Sequence, residues 1–155
     1  MKKWLIYAGA LLAVAILGMG GHRGEDVSRL HPVQLLIADY QNEKVTLTTD
    51  TGYVGTGKDV RSALEDMMRS ASCGIFIDTA DYLLVRRNAL HLMDRFGETL
   101  RPSCAVCILS GSVDPGDAAQ FLQYHVPKVT MGKYEAGEKE LPQLVSLEGR
   151  MELVQ

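Results

Sequence analysis

Between Trp4 and Gly21 the chain runs for eighteen residues without a charge, directly behind Lys2 and Lys3. A stretch of that kind sets the topology of everything after it, because it reads as a membrane segment or an export signal. At about 1.5 Å of rise per residue it reaches roughly 27 Å, close to the ~30 Å hydrocarbon core of a bilayer. The two lysines precede the run, whereas Arg23 behind it is balanced by Glu25 and Asp26. The positive-inside rule therefore leaves the N-terminus inside and the body of the chain outside. The small-residue pattern Ala13-Val14-Ala15 lies within the run, and cleavage there would leave Ile16, Leu17 and Met19 dangling. A retained anchor over residues 1–21, with Trp4 and Tyr7 at the inner interface, is the expectation; a cleaved export signal is its alternative.

The remainder of the chain has room for one domain. The full 155 residues are 46% hydrophobic and 23% charged, a globular composition. A net charge of −3 and a pI near 5.8 provide no broad basic surface, which argues against nucleic acid as a partner. Residues 22–31 read as an exit linker, 32–125 as an extracytoplasmic domain, and 126–155 as a C-terminal extension with late strands at Leu144–Leu147 and Arg150–Val154.

Within the domain, Val33–Ala38 and Lys44–Thr49 read as strands joined by the polar Asp39-Tyr-Gln-Asn-Glu43, and as hairpin neighbours. Val60, Ala63, Leu64, Met67 and Met68 recur at helical spacing behind Asp59, an N-cap residue, and Gly74 marks the end of that helix. A strand begins at Ile75-Phe-Ile77 and continues or restarts at Tyr82–Val85. A second helix is expected over Asn88–Phe96, a buried strand over Ser103–Leu109, and a third helix opening at Asp114-Pro115. The expected class is α/β, with α+β as the alternative: one small mixed β-sheet with about three helices, behind an N-terminal membrane helix.

The most suggestive motif is Gly52-Tyr-Val-Gly-Thr-Gly-Lys-Asp59, which matches a phosphate-binding loop except in its last position. Asp59 would set a negative charge where phosphate and Mg²⁺ meet a helix start, and the preceding segment alternates like a half-exposed strand rather than a buried parallel one. The expectation is a glycine-rich turn leading into a helix capped by Asp59, a structural role, with no nucleotide and no cofactor. Asp78 and Asp81 read as turn formers rather than a cation pair. Cys104-Ala-Val-Cys107 has redox and zinc spacing, but in a strand residues three apart face opposite sides, so these read as buried thiols, with Cys73 a conceivable disulfide partner for either. His22, His31, His91 and His125 show no ligand spacing, and Ser110-Gly-Ser112 has no recognisable base. No catalytic, cofactor-binding or metal residue is assigned.

From about Arg23 to Ala119 the order of pieces resembles a known family. An export segment is followed by Arg23 and Glu25, the apolar strand Val33–Ala38, Gly57-Lys58-Asp59 opening a helix with Ala63-Leu64, the stretches Ile75–Ile77 and Tyr82–Val85, the amphipathic Leu92-Met-Asp-Arg-Phe96, and Arg101–Ser112. This resembles the N-terminal domain of the Ger(x)C spore germination proteins, the membrane-associated C subunits of nutrient germinant receptors. Met19 stands about where the family carries a lipobox cysteine, Thr79 where a His is common, and the family continues through a larger C-terminal portion that this sequence lacks. The resemblance implies a truncated relative: a non-catalytic, extracytoplasmic subunit or accessory protein of a germinant receptor, with multispanning membrane subunits as partners and the spore inner membrane as its place. An exported enzyme with a dispersed active site, or a generic cell-envelope binding module, are the alternatives.

Overall fold

The computed structural model describes residues 31–71, 74–147 and 149–155. The expected anchor and linker through Leu30, the departure at Met19, His22 and Cys73 lie outside the described residues. Along the chain come β1 (His31–Pro32), β2 (Leu35–Gln41), β3 (Lys44–Thr49), β4 (Val54–Gly57), α1 (Val60–Ser70), β5 (Ile75–Phe76) and β6 (Tyr82–Arg86). A 3-10 helix (Arg87–Leu92) leads into α2 (Met93–Gly97), followed by β7 (Ala105–Ser110), α3 (Pro115–Tyr124), α4 (Met131–Glu135), β8 (Gln143–Leu147) and β9 (Arg150–Val154).

Seven strands form one mixed sheet in the order β4-β3-β2-β6-β7-β8-β9. β2, β6, β7 and β8 are parallel neighbours, while β3 and β4 meander antiparallel at one side and β9 returns antiparallel at the other. The chain is thus α/β. Central β6 is an unbroken apolar run, Tyr82-Leu-Leu-Val85, buried on both faces as a covered parallel strand must be. By contrast β3 alternates buried Val45, Leu47 and Thr49 with half-exposed Thr46 and Thr48. Leu36, Ala38, Val45, Leu47, Leu83 and Val85 form one core with α1 and α2. On the other face Leu35, Ile37, Leu84, Cys107 and Leu144 pack under Ala118, Ala119 and Leu122 of α3.

Several boundaries differ from the sequence expectation, each for a physical reason. The polar Asp39–Gln41 belongs to β2 rather than to a connector, because the hairpin needs only two residues: Asn42 (φ 51°) and Glu43 (φ 61°) make the double left-handed turn that matches strand twist. Val54–Gly57, expected as turn, is the edge strand β4. Ile75–Phe76 does not join the main sheet but pairs in parallel with His31–Pro32. The expected helix over Asn88–Phe96 is a 3-10 helix followed by a single turn of α-helix. α4, capped by Thr130, has no counterpart in the sequence expectation; the segment before it pairs with the first half of β7, with Val106 N–H donating to Val129 O (2.9 Å) and Met131 N–H to Cys104 O (2.8 Å). β8 takes over that edge from Ile108 onward, so the C-terminal extension completes the same sheet.

Candidate functional site at the carboxyl ends of the parallel strands

In open α/β sheets the crevice outside the carboxyl ends of the strands is where ligands bind, at the point where successive connections leave toward opposite faces. Here the residues that end β2 and β6 and the turn after β7 meet at that end of the sheet. After β6 the chain enters the first core through Ala89 and Met93; after β7 it enters the second through Ala118.

Arg86, the last residue of β6, joins these strand ends. Its Nε lies 3.3 Å from an Asp39 carboxylate oxygen at the end of β2, and its Nη1 donates to the Gly111 carbonyl after β7 (3.0 Å). Asp39 also accepts from Asn88 Nδ2 (2.9 Å) and Gln41 Nε2 (3.0 Å). Two hydrogen-bond donors and the Arg86 charge thus surround a carboxylate that has roughly four lone-pair directions. The cluster therefore acts as a clamp joining three neighbouring strand ends, and its half-buried Arg–Asp pair is less screened than the exposed pairs elsewhere. Beside it Arg87 Nη2 donates to Gln143 Oε1 (3.4 Å), and Gln143 Nε2 donates to Ser110 Oγ (2.6 Å). Ser146 Oγ donates to the Ser112 backbone carbonyl (2.7 Å), so the Ser-Gly-Ser turn is tied to β8 through the Ser110 hydroxyl and the Ser112 main chain. Sequence reading missed Asp39, Arg86 and Asn88; the available signal was that Asp39 and Arg86 each directly follow an apolar strand run.

The Gly52–Asp59 stretch resolves into separate structural jobs. Gly52 turns the chain at φ +86°. Gly55 and Gly57 lie on β4 against α1, where an added Cβ would sit 2.2 Å from Ala63 O and 2.3 Å from Ser62 Oγ respectively. Asp59 caps α1 as expected: Ser62 N–H donates to its Oδ1 (2.7 Å), and Asp59 N–H donates to Ser62 Oγ (3.1 Å). A phosphate at this helix start would have to displace that carboxylate.

The bond from the Ser62 backbone N–H, then that from its hydroxyl, hold the Asp59 carboxyl below its usual range. A carboxyl lowered on folding stabilises the native state above its unfolded value, roughly 3.9, and that contribution fades as pH falls through the folded value. Asp59→Ala is thus expected to lower the melting temperature at pH 7 by roughly 3–6 °C, with the gap from wild type closing in acid, as scanning calorimetry across pH would record. Asp59→Asn should retain most of the cap.

A hollow of about 470 Å³ lies between α1 and α2, floored by Val60, Leu64 and Leu92 and rimmed by Asp59, Arg61 and Arg95. Both arginines make exposed ion pairs, Arg61 with Glu65 (3.2 Å) and Arg95 with Glu98 (3.5 Å).

The remaining candidates are dispersed. Asp81 is ion-paired with Arg101, while Asp78 sits in the turn that Thr79 Oγ1 closes by donating to Phe76 O (2.8 Å). Among the described residues no three His, Cys, Asp or Glu side chains form a group able to hold a metal ion. His91 meets Tyr40 edge-on at 4.7 Å, and His125 stacks on Phe121 at 4.3 Å.

Cys104 and Cys107 are free, buried and on opposite faces of the sheet, as strand parity requires. Burial pushes each thiol up from 9.0 to about 12. The thiolate is the reactive form, so at neutral pH neither is a competent nucleophile. Because their values rise on folding, the stability they contribute is complete below about 9 and is lost as pH climbs toward about 12. The expected loss is on the order of a few kcal/mol across that interval, read from urea melts at stepped pH. Replacing both cysteines with alanine should flatten the alkaline limb.

No helix among the described residues is long and apolar enough to cross a membrane. Comparison of the chain with family models, curated proteins and solved structures returns no match.

Proposed function

We propose that the chain is a membrane-anchored, non-catalytic domain on the extracytoplasmic side that serves as a subunit or accessory protein of a spore germinant receptor. The observation that carries this reading is the order of pieces in the sequence: the segments resembling the germination family correspond, in chain order, to β2, α1 with its cap, β5, β6, α2 and β7. The chemistry at the strand ends favours binding over catalysis. Asp39 accepts from Asn88 and Gln41 and is ion-paired with Arg86, the Ser110 and Ser146 hydroxyls serve cross-strand bonds, and burial raises both thiols. Its partners are multispanning membrane subunits, held beside it by an anchor formed from residues 1–21.

Immunoblots of membrane and soluble fractions from dormant spores and growing cells test this. The protein is expected in the spore inner-membrane fraction, and its deletion is expected to slow nutrient-triggered germination. Soluble protein confined to growing cells, with germination unchanged on deletion, would sink the assignment.

A further inference from the structure

The two edges of the sheet are treated differently. At β4 the Thr56 N–H, which would otherwise face an incoming strand, donates to Asp66 Oδ2 of α1 (2.9 Å), and the Thr56 hydroxyl lies 3.4 Å from the same oxygen. A side chain that takes up an edge donor blocks further pairing. At β9 the described residues show no such block.

β9 pairs with β8 in the register Leu147↔Arg150, Val145↔Glu152, Gln143↔Val154. In a two-residue hairpin the pair flanking the turn exchanges hydrogen bonds, and bonded and non-bonded pairs alternate along the ladder. Arg150, Glu152 and Val154 therefore direct their backbone groups at β8, and Met151 and Leu153 direct theirs at the open edge. The side chains of Arg150 and Glu152 share one face with Val145 and Leu147 around a shallow hollow of about 490 Å³. That face carries exposed apolar surface, Leu147 at 69% and Val154 at 52%. Neither Arg150 nor Glu152 has an ion-pair partner among the described residues.

An edge strand with one unpaired cation and one unpaired anion two residues apart is complementary to itself when inverted. We propose that β9 pairs antiparallel with β9 of a second copy of this chain, about a two-fold axis at Met151. In that register Met151 faces Met151 of the other copy as a hydrogen-bonded pair. Arg150 of each chain lies opposite Glu152 of the other in the closer, non-bonded sites, where opposite charges attract and like charges repel. The interface is isologous and closes on itself, joining two seven-stranded sheets into one. This pairing is independent of the receptor assignment and can hold whether or not that assignment does.

Sedimentation of the full chain in a mild detergent is the test. Wild type is expected as a dimer at tens of micromolar, with Arg150→Glu and Glu152→Arg each weakening dimerisation by about tenfold or more, since each turns two attractive pairs into two repulsive ones. Mixed in equal amounts, the two variants are expected to form a heterodimer, because one chain then offers only anions and the other only cations. Met151→Cys is expected to give a disulfide-linked dimer on mild oxidation that wild type does not, as hydrogen-bonded partners lie about 5.5 Å apart between Cα atoms, within the bridging range of roughly 4.4–6.8 Å. Both reversed side chains are exposed, so unchanged circular dichroism melts verify that the fold is intact. A monomeric wild type, a dimer indifferent to both reversals, or a mixture that remains monomeric overturns the proposal.

Discussion

Gly55→Ala is expected to destabilise the domain by about 3 kcal/mol, measured by urea denaturation. In an open strand the same change would be favourable by about 0.5–1 kcal/mol, since alanine loses less backbone freedom on folding than glycine does. The sign reverses here because α1 lies directly on β4. An added Cβ at Gly55 would stand 2.2 Å from Ala63 O, 2.6 Å from Met67 Cβ and 2.7 Å from Met67 N. Two of those three atoms are backbone, so no rotamer change relieves the overlap and the helix itself must move. Moving it disturbs the Asp66 carboxylate that holds the Thr56 N–H, and with it the block on that edge of the sheet. Gly57→Ala meets Ala63 N at 2.4 Å and is expected to be comparably harmful, loosening the Asp59–Ser62 cap as well. Gly52→Ala is the control: nothing lies within 4 Å of its Cβ position, and the cost is the left-handed backbone at φ +86°, about 1–2 kcal/mol. If Gly55→Ala melted like wild type, the seating of α1 on β4 would be wrong.

The second large effect is expected at Phe96, whose replacement by alanine should cost about 3–5 kcal/mol. Phe96 is fully buried in the core that includes Met93 and Leu100, at the end of the short α2. A helix of five residues cannot hold itself together through its own hydrogen bonds, so its position depends on what its side chains bury. The Phe96 carbonyl also accepts from Leu100 N–H (2.8 Å) and Thr99 N–H (3.0 Å), which ties the exit turn to the same residue. Leu92 is only half-buried, and its replacement by alanine should cost about 1 kcal/mol while enlarging the hollow between α1 and α2. Thermal melts of the two variants side by side would separate docking of α2 from the shape of that hollow.

Much of this fold is legible along the chain. The alternation of Val45 and Leu47 with Thr places β3 at its observed limits, and Arg150–Val154 reads as the strand that β9 is. Asp59 and Asp114 mark helix starts whose first N–H groups they accept. Parity along β7 places Cys104 and Cys107 on opposite faces and removes the redox reading of their spacing. β4 is not legible, because glycines are depleted in strands and Val54-Gly-Thr-Gly57 carries no apolar alternation to outweigh that. Its glycines suit a helix packed on it, and that helix begins only beyond it in the sequence. The clamp at the strand ends is hidden for the same kind of reason, since Asp39, Arg86 and Gly111 meet only once β2, β6 and β7 lie side by side.

The sequence by itself pointed to α/β with α+β as the alternative, and determined the caps and burial periods of the main elements. These depend on interactions within about four residues along a helix or two along a strand, a range over which the chain is its own environment. Only the tertiary structure decided that two of the glycines of Gly52–Gly57 serve helix packing. It also decided that Arg86 links β2 to the turn after β7, and that one sheet edge is blocked while the other is open. Each of these depends on which distant backbone passes within a few ångströms, and strand order and register, not local pattern, set that distance.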